Sequence, residues 1–195
     1  MKILLLSSPV VQQDFDRIAR LPNLGLASLA AHVKDLCTIH VADIHGMKNY
    51  REYVRKAVNS YDLVGFTAMS FQYQEALRLA SIAKESGAKT VFGGYHPTLA
   101  CEEIGQSEDA RLIDYIVRGE GEASFRELVQ SLLAGVEPKG VLGVSYHVGE
   151  TMVHNRPRPL LRVEEIEMPD RDARLITKGF YSFDVPIDSV ECSPG

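Results

Sequence analysis

Polar residues and glycines recur in this sequence directly after short apolar runs. One such group begins at Thr67, after the apolar run 63–66, and contains two hydroxyls, a phenyl ring and an amide. Hydroxyl and amide groups can donate or accept hydrogen bonds at the polar edge of a ligand. A hydroxyl in this place can also cap the following helix, and both roles can hold together. The candidate ligand-binding residues of this group are Thr67, Ser70, Phe71 and Gln72.

A glycine pair opens the second group, which reads Gly-Gly-Tyr-His-Pro. Glycines allow the backbone to approach a large flat ligand or a phosphate closely. The histidine can hydrogen-bond such a ligand or cap its own helix, and the proline suits the first turn of a helix. A simple strand-to-helix turn is the alternative. The candidates of this group are Gly93, Gly94, Tyr95, His96 and Pro97.

Two glycines alternate with two glutamates in the third group. A carboxylate at a helix start is stabilised by the helix dipole, which by itself explains its presence. The same placement also puts a carboxylate and backbone amides at the edge of a ligand. The candidates of this group are Gly119, Glu120, Gly121 and Glu122.

The elements that must position these groups alternate along the first two-thirds of the chain. Apolar, β-branched runs predict strands, and apolar residues at helical spacing between them predict helices. The predicted strands are 2–7, 37–43, 63–68, 90–92 and 113–117. This alternation predicts an α/β fold with a doubly wound, five-stranded parallel sheet of the flavodoxin-like or Rossmann-like kind. Ligands of such sheets bind beyond the carboxyl ends of the strands, where all three groups lie.

The pattern changes after residue 138. Two alternating segments on either side of Gly149 predict a β-hairpin within residues 139–156. Residues 157–195 are rich in proline and charge, and they predict an extended linker.

Composition and missing motifs argue against several functions. A formal charge of −5 without a basic stripe argues against a nucleic-acid partner. No apolar run approaches the ~20 residues that a membrane span needs. Three widely separated cysteines (Cys37, Cys101 and Cys192) argue against a disulfide framework and favour the reducing cytoplasm. The loop after the first strand has neither a G-x-G-x-x-G nor a phosphate-loop motif, and no aspartate ends the third strand, so nucleotide binding and phosphate acceptance are poorly supported.

Taken in order, the motifs resemble those of one family: the cobalamin (vitamin B12)-binding domain that precedes the catalytic barrel of B12-dependent radical-SAM enzymes. The resemblance covers essentially the whole chain. It rests on PNLGL (22–26), VGFTAMS (64–70), GGYHPT (93–98), RGEGE (118–122) and EMPDRD (167–172). It implies a cobalamin-binding domain over residues 1–138 with the candidate residues at the cofactor. It also implies that the nucleotide tail of the cofactor lies near Thr67, Ser70, Gly93 and Gly94.

Methionine synthase and the cobalamin-dependent mutases bind cobalt through the histidine of a D-x-H-x-x-G motif. Here Asp43-Ile44-His45 resembles the start of that motif, but Lys48 replaces the glycine and the segment follows the second predicted strand, not the first. The loop after the first strand, residues 7–21, contains no histidine. The resemblance therefore implies a cobalamin whose own base is detached from cobalt (base-off) and no metal ligand from this chain.

The last residues, 191–195, resemble the strand end that directly precedes the C-x-x-x-C-x-x-C motif of radical-SAM enzymes. The resemblance implies a longer protein with cysteine at the next position and a barrel that holds a [4Fe–4S] cluster and S-adenosylmethionine. The implied function is to position cobalamin for methyl transfer to a carbon radical of a small-molecule substrate. The barrel is then the partner of this domain, and no catalytic residue is assigned to the chain itself.

Two other functions stay open. The domain could have kept its fold without the cofactor and act in docking or substrate recognition. It could also be a flavodoxin-like domain that binds a flavin or a nucleotide, although Ser7-Ser8-Pro9 makes a poor phosphate-binding turn.

Overall fold

The computed structural model describes residues 1–9, 19–183 and 185–188. The predicted strand end at 191–195 and most of the loop after the first strand lie outside these residues. The strands are β1 (Lys2–Ser7), β2 (Ala19–Arg20), β3 (Thr38–Asp43), β4 (Leu63–Thr67), β5 (Lys89–Gly93), β6 (Tyr115–Val117), β7 (Val144–Val148), β8 (Thr151–His154), β9 (Tyr181–Ser182) and β10 (Val185–Pro186). The α-helices are α1 (Leu24–Ala31), α2 (Tyr50–Ala57), α3 (Tyr73–Glu85), α4 (Tyr95–Leu99), α5 (Cys101–Gln106) and α6 (Glu122–Leu133).

The main sheet has the strand order β3-β1-β4-β5-β6-β7-β8 in the described part of the chain. Neighbours from β3 to β6 are parallel, whereas β7 is antiparallel to β6 and β8 to β7. The predicted doubly wound, five-stranded parallel sheet is confirmed. The predicted hairpin is also confirmed, and it continues the same sheet beyond β6. Strand order reverses around β1, which has β3 on one side and β4 on the other, and such a switch point is where these sheets bind ligands.

Both faces of the sheet are buried, because successive side chains of a strand point to opposite faces. Leu4 and Leu6 of β1 belong to the core that packs against α2, α3 and α5. Ile3 and Leu5 belong to the core that packs against α1 and α6. A central parallel strand therefore appears in the sequence as a continuous apolar run.

Local sequence determines where two helices at the carboxyl edge of the sheet, α1 and α4, begin. Asn23 caps α1, since its side-chain Oδ1 accepts a hydrogen bond from the Leu26 N–H at 3.1 Å. The helix that Pro97 suggests begins at Tyr95, because Gly94 turns the chain with a φ of +94° and its carbonyl accepts from the Thr98 N–H. Pro97 falls in the first turn of α4, where its missing N–H needs no partner.

The segment after the hairpin runs back across α1 to the opposite edge of the sheet. Its Asp170 N–H donates to the Ala27 carbonyl of α1 at 2.9 Å, and Arg174 forms a parallel bridge with Val41 of β3. Farther along, β9 pairs with both β2 and β10 in a small antiparallel sheet. The segment predicted as an extended linker therefore packs along the domain over its described residues.

Candidate functional site

A cavity of about 260 Å³ opens at the carboxyl ends of β1, β4, β5 and β6, and α1 and α6 form its sides. All three groups of candidate residues contribute to it. The candidates that line it are Thr67, Gly93, Gly94, Gly119, Glu120, Gly121 and Glu122. Residues that are far apart in sequence thus meet at one site, because the carboxyl ends of parallel strands share one edge of the sheet.

The cavity is also lined by residues that were not among the candidates. These further lining residues are Leu5, Asn23, Gly25, Leu26, Leu29, Gly65, Phe66, Val91, Phe92, Val117 and Phe125. Most are apolar residues of buried strands and helices, which a sequence presents as ordinary core. Gly65 carries the one usable signal, since a glycine inside a strand often marks a close approach by a ligand or another backbone.

Gly65 provides the floor of the cavity. It pairs with Leu5 on β1 and with Val91 on β5. A Cβ atom at residue 65 would lie 2.5 Å from Leu5 Cδ2 and 3.3 Å from Val91 Cγ1, so a side chain there would displace its neighbours. The Leu5 and Val91 side chains therefore lie directly against the Gly65 backbone, which leaves no room for a side chain at the floor.

Gly94 allows β5 to turn tightly against the end of β4. Its φ of +94° is strained for any other residue, and a Cβ atom there would lie 2.9 Å from Thr67 Oγ1 and 3.0 Å from the Ala68 carbonyl. This turn is also fixed by backbone hydrogen bonds from the Ala68 N–H to the Gly93 carbonyl and from the His96 N–H to the Ala68 carbonyl. The glycine pair thus holds the loops after β4 and β5 together at the cavity mouth.

The two glutamates at the mouth have partners within the protein. Glu122 Oε1 accepts a hydrogen bond from Ser28 Oγ of α1 at 2.9 Å, which joins α1 to α6. Glu120 Oε2 accepts from the Leu161 N–H at 2.9 Å. Glu120 therefore ties the segment that follows the hairpin to the rim of the cavity.

The remaining candidates lie in the loops beside the cavity and do not line it. They are Ser70, Phe71, Gln72, Tyr95, His96 and Pro97. The Gln72 Nε2 donates to the Ser8 carbonyl at 2.6 Å, and its Oε1 accepts from the Met69 N–H. Gln72 thereby joins the loops after β1 and β4.

His96 contacts Ser70 and Tyr73, which follow β4. Its Nδ1 lies 3.2 Å from Ser70 Oγ, and its ring centroid lies 4.2 Å from that of Tyr73. Phe71 and Tyr95 are 64% and 69% exposed, and Pro97 is buried. The loops after β4 and β5 therefore present large, exposed aromatic rings next to the cavity mouth.

Asp43-Ile44-His45 begins at the last residue of β3 and does not line the cavity. Asp43 is buried, and its carboxylate accepts from the Asn23 N–H at 3.0 Å and the His45 N–H at 3.3 Å. Burial raises the pKa of the Asp43 carboxyl, and the hydrogen bonds from the two amides offset this only in part. This aspartate thus anchors the turn that leads into α1.

Two features are absent from the described residues: a cluster of metal-binding side chains and a membrane-spanning helix. Within residues 1–9, 19–183 and 185–188, no cluster of three or more His, Cys, Asp or Glu side chains could hold a metal ion. Over the same residues, no helix is long and apolar enough to cross a bilayer.

Comparison with known proteins identifies the family. Residues 19–129 match the family model described as the B12 binding domain, and they contain α1, β4, β5, β6 and the first part of α6, which line the cavity. The chain belongs to the B12-binding domain family. The resemblance stated from the sequence motifs is thereby confirmed.

Relatives of this B12-binding domain are longer proteins. The uncharacterized methyltransferase PH0819 of Pyrococcus horikoshii is 35% identical over 203 residues, which cover 100% of this chain and 43% of that protein. The cobalamin-dependent S-adenosylmethionine radical enzyme OxsB, solved with aqua-cobalamin and S-adenosylmethionine, superposes with a TM-score of 0.71 at 20% identity over 88% of this chain and 24% of its own. The radical S-adenosylmethionine methyltransferase TsrM from Kitasatospora setae was solved with cobalamin and a [4Fe-4S] cluster. It superposes with a TM-score of 0.63 at 19% identity, over 88% of this chain and 31% of its own. The two structures share the fold of this domain, and the chain spans less than half the length of each relative.

Proposed function

We propose that this chain is the cobalamin-binding module of a longer radical-SAM enzyme, in which it positions base-off cobalamin. The observation that carries the proposal is the glycine-floored, apolar cavity at the carboxyl ends of β1, β4, β5 and β6. Membership of the B12-binding domain family and the lengths of the relatives support it.

The size of the cavity fits one part of cobalamin. Its volume of about 260 Å³ lies below the ~300–1,000 Å³ typical of pockets that enclose drug-sized ligands. The cavity is therefore too small for the corrin ring and suits the bicyclic base of the nucleotide tail. A base that enters the cavity cannot remain bonded to cobalt, which is the reason for proposing the base-off form.

The corrin ring would then rest on the loops outside the cavity. Phe71 and Tyr95 expose flat apolar surface there, and Met69 is 41% exposed. Ser70 and His96 can donate hydrogen bonds toward the amide side chains of the ring. We assign the thirteen candidate residues to these two parts, with the lining residues at the tail and the remaining ones at the ring. Ser70, which the resemblance places near the tail, is thereby moved to the ring, because it does not line the cavity.

The rest of the enzyme would close the site from above. When bound, cobalamin supplies a cobalt centre that can carry a methyl group, which suits methyl transfer to a carbon of a small-molecule substrate. We place the [4Fe–4S] cluster, S-adenosylmethionine and the substrate in a radical-SAM barrel of the longer protein. We also place the protein in the reducing cytoplasm, where thiols such as those of Cys37 and Cys101 stay reduced.

The test is direct binding of hydroxocobalamin to the purified chain. After removal of unbound corrinoid, we expect about one equivalent of retained colour with a base-off absorption spectrum. A chain that retains no colour, both alone and within its full-length protein, would instead be a cofactor-free docking domain.

A further inference from the structure

The inside of the cavity contains only apolar side chains. The buried lining residues are Leu5, Leu26, Gly65, Phe66, Val91, Phe92, Val117 and Phe125, and none of their side chains carries a nitrogen or oxygen atom. The backbone of β4 at the floor is paired on both sides, with β1 and with β5. A ligand that enters this space therefore meets very few groups that could pair with a polar atom.

Polar side chains occur only at the mouth, and three of the four are already engaged. Asn23 Oδ1 caps the first turn of α1. Glu120 accepts from the Leu161 amide, and Glu122 accepts from the Ser28 hydroxyl. Thr67 is the fourth, and it sits at the end of β4. The base of a bound cofactor would reach past these groups into the apolar interior.

We propose that this cavity selects cobamides by their lower base and prefers a benzimidazole to a purine. The inference rests on the proposed function, because it concerns the tail of the same cofactor. Adenine carries an exocyclic amine and more ring nitrogens than dimethylbenzimidazole does. Burial of such groups without hydrogen-bond partners is costly, whereas the methyl groups of the benzimidazole gain apolar contacts.

Val91 and Val117 are the side chains to change. They are 4% and 5% exposed, and they lie in the neighbouring strands β5 and β6. Threonine replaces one methyl group of valine with a hydroxyl at nearly the same volume, and it is well tolerated in strands. Val91→Thr and Val117→Thr therefore each give the cavity a hydrogen-bonding group without filling it.

Val144→Thr is the matched control. Val144 is fully buried in the same hydrophobic core but does not line the cavity. This variant carries the general cost of burying a hydroxyl in this core. It leaves the wall of the cavity unchanged.

The experiment measures the dissociation constants of the chain for cobalamin, for the adenine-containing cobamide and for cobinamide, which has no base. Titrations are followed by visible absorbance. The readout is the ratio of the adenylcobamide constant to the cobalamin constant. The cost of detaching each base from cobalt belongs to the free cobamide, so it cancels when variants are compared. We expect the ratio to fall by at least about threefold in Val91→Thr and in Val117→Thr and to stay unchanged in Val144→Thr.

Three results would overturn the inference, and they differ in their consequence for the proposed function. An unchanged ratio in both folded variants would contradict the proposed selectivity but not the proposed function. Bound cobalamin with a base-on absorption spectrum would show that no base enters the cavity, and it would leave a corrinoid-binding domain. No binding of any corrinoid, with the full-length protein giving the same result, would end the proposed function together with the inference.

Discussion

Leu5 and Gly65 lie directly opposite each other in the pairing of β1 with β4, and the Leu5 side chain covers the position that a Cβ atom of residue 65 would take. That hypothetical atom would lie 2.5 Å from Leu5 Cδ2. Glycine at one strand and leucine at the other therefore set how much open space remains above the floor of the cavity.

Gly65→Ala should weaken cobalamin binding. The added methyl group forces Leu5 away from residue 65, and the cavity is the open space beside it. Such overpacking should also lower the free energy of unfolding by about 1–3 kcal/mol. We expect the dissociation constant, measured by absorbance titration at a temperature where the variant is folded, to rise at least about tenfold.

The double variant Leu5→Ala/Gly65→Ala is the control for that result. Leu5→Ala removes the displaced side chain, so room for the ligand returns even though the core loses contacts. The double variant should therefore bind more tightly than Gly65→Ala alone while being less stable than the wild type. Wild-type binding by the single variant would show that the floor of the cavity does not contact the ligand.

Gly94→Ala should destabilise the fold more than a glycine replacement elsewhere. The φ of +94° costs an alanine about 1–2 kcal/mol, and the contact with Thr67 Oγ1 at 2.9 Å adds to it. Gly87→Ala is the matched control, because Gly87 has a φ of +84° but nothing within 4 Å of its hypothetical Cβ atom. Urea denaturation should give the larger loss for Gly94→Ala. Equal losses would mean that backbone conformation alone requires the glycine.

The fold was predictable from sequence because each element has a local signature. The apolar run of β1 and the cap at Asn23 are features of short segments, and they predict strands and helices without knowledge of the partners. The attachment of the hairpin was not predictable. β7 pairs with β6 through residues such as Val117 and Val144, and nothing in an alternating segment states which strand it will join.

The candidate site was predictable at those positions whose residue types are unusual for a hydrophobic core. Gly94 and Glu120 stand out because a glycine pair and a carboxylate at a strand end need an explanation. Leu26, Val91 and Phe125 do not stand out, since an apolar residue that lines a cavity and one that fills a core have the same local pattern. Long-range packing decides whether such a residue lines a cavity or fills a core. Of the residues in buried strands that line the cavity, Gly65 is the one whose type signals it, because it is a glycine inside a strand.

Glu75→Gln should reduce stability at neutral pH. The Glu75 side chain is fully buried, yet its carboxylate accepts hydrogen bonds from Arg51 at 2.7 and 2.8 Å, from Arg78 at 2.9 Å and from Tyr50 at 3.0 Å. Loss of the charge weakens these contacts between α2 and α3. We expect the free energy of unfolding to fall by about 1.5–3 kcal/mol, the range for hydrogen bonds to charged groups.

The same carboxylate should make stability depend on acid pH. Burial tends to raise the pKa of Glu75, but the hydrogen bonds from Arg51, Arg78 and Tyr50 outweigh it, so the pKa lies below the ordinary 4.5. A lowered pKa in the folded state means that its contribution is present above pH 4.5 and is lost as pH falls through the folded-state value. The stability difference between wild type and Glu75→Gln should therefore shrink in acid. A difference that is constant down to pH 2 would contradict this assignment.

Glu52→Gln is the matched control for Glu75. Glu52 pairs with Lys56 on the exposed surface of α2, with both side chains more than half exposed. Exposed pairs of this kind contribute about 0.3–0.5 kcal/mol. This variant should unfold at nearly the same urea concentration as the wild type, and a loss as large as that of Glu75→Gln would point to a general effect of charge on α2 and α3.

Glu120→Ala should release the segment that follows the hairpin from the rim of the cavity. The Leu161 N–H donates to Glu120 Oε2 at 2.9 Å, whereas the Asp170 N–H, in the same segment, donates to the Ala27 carbonyl. Hydrogen exchange followed by NMR should show the Leu161 amide exchanging about tenfold faster or more in the variant, since a hydrogen bond to a charged group contributes about 1.5–3 kcal/mol. The Asp170 amide is the internal control and should keep its rate. Faster exchange at both amides would mean that Glu120 supports the whole segment, and unchanged exchange at Leu161 would mean that its protection comes from burial and not from the carboxylate.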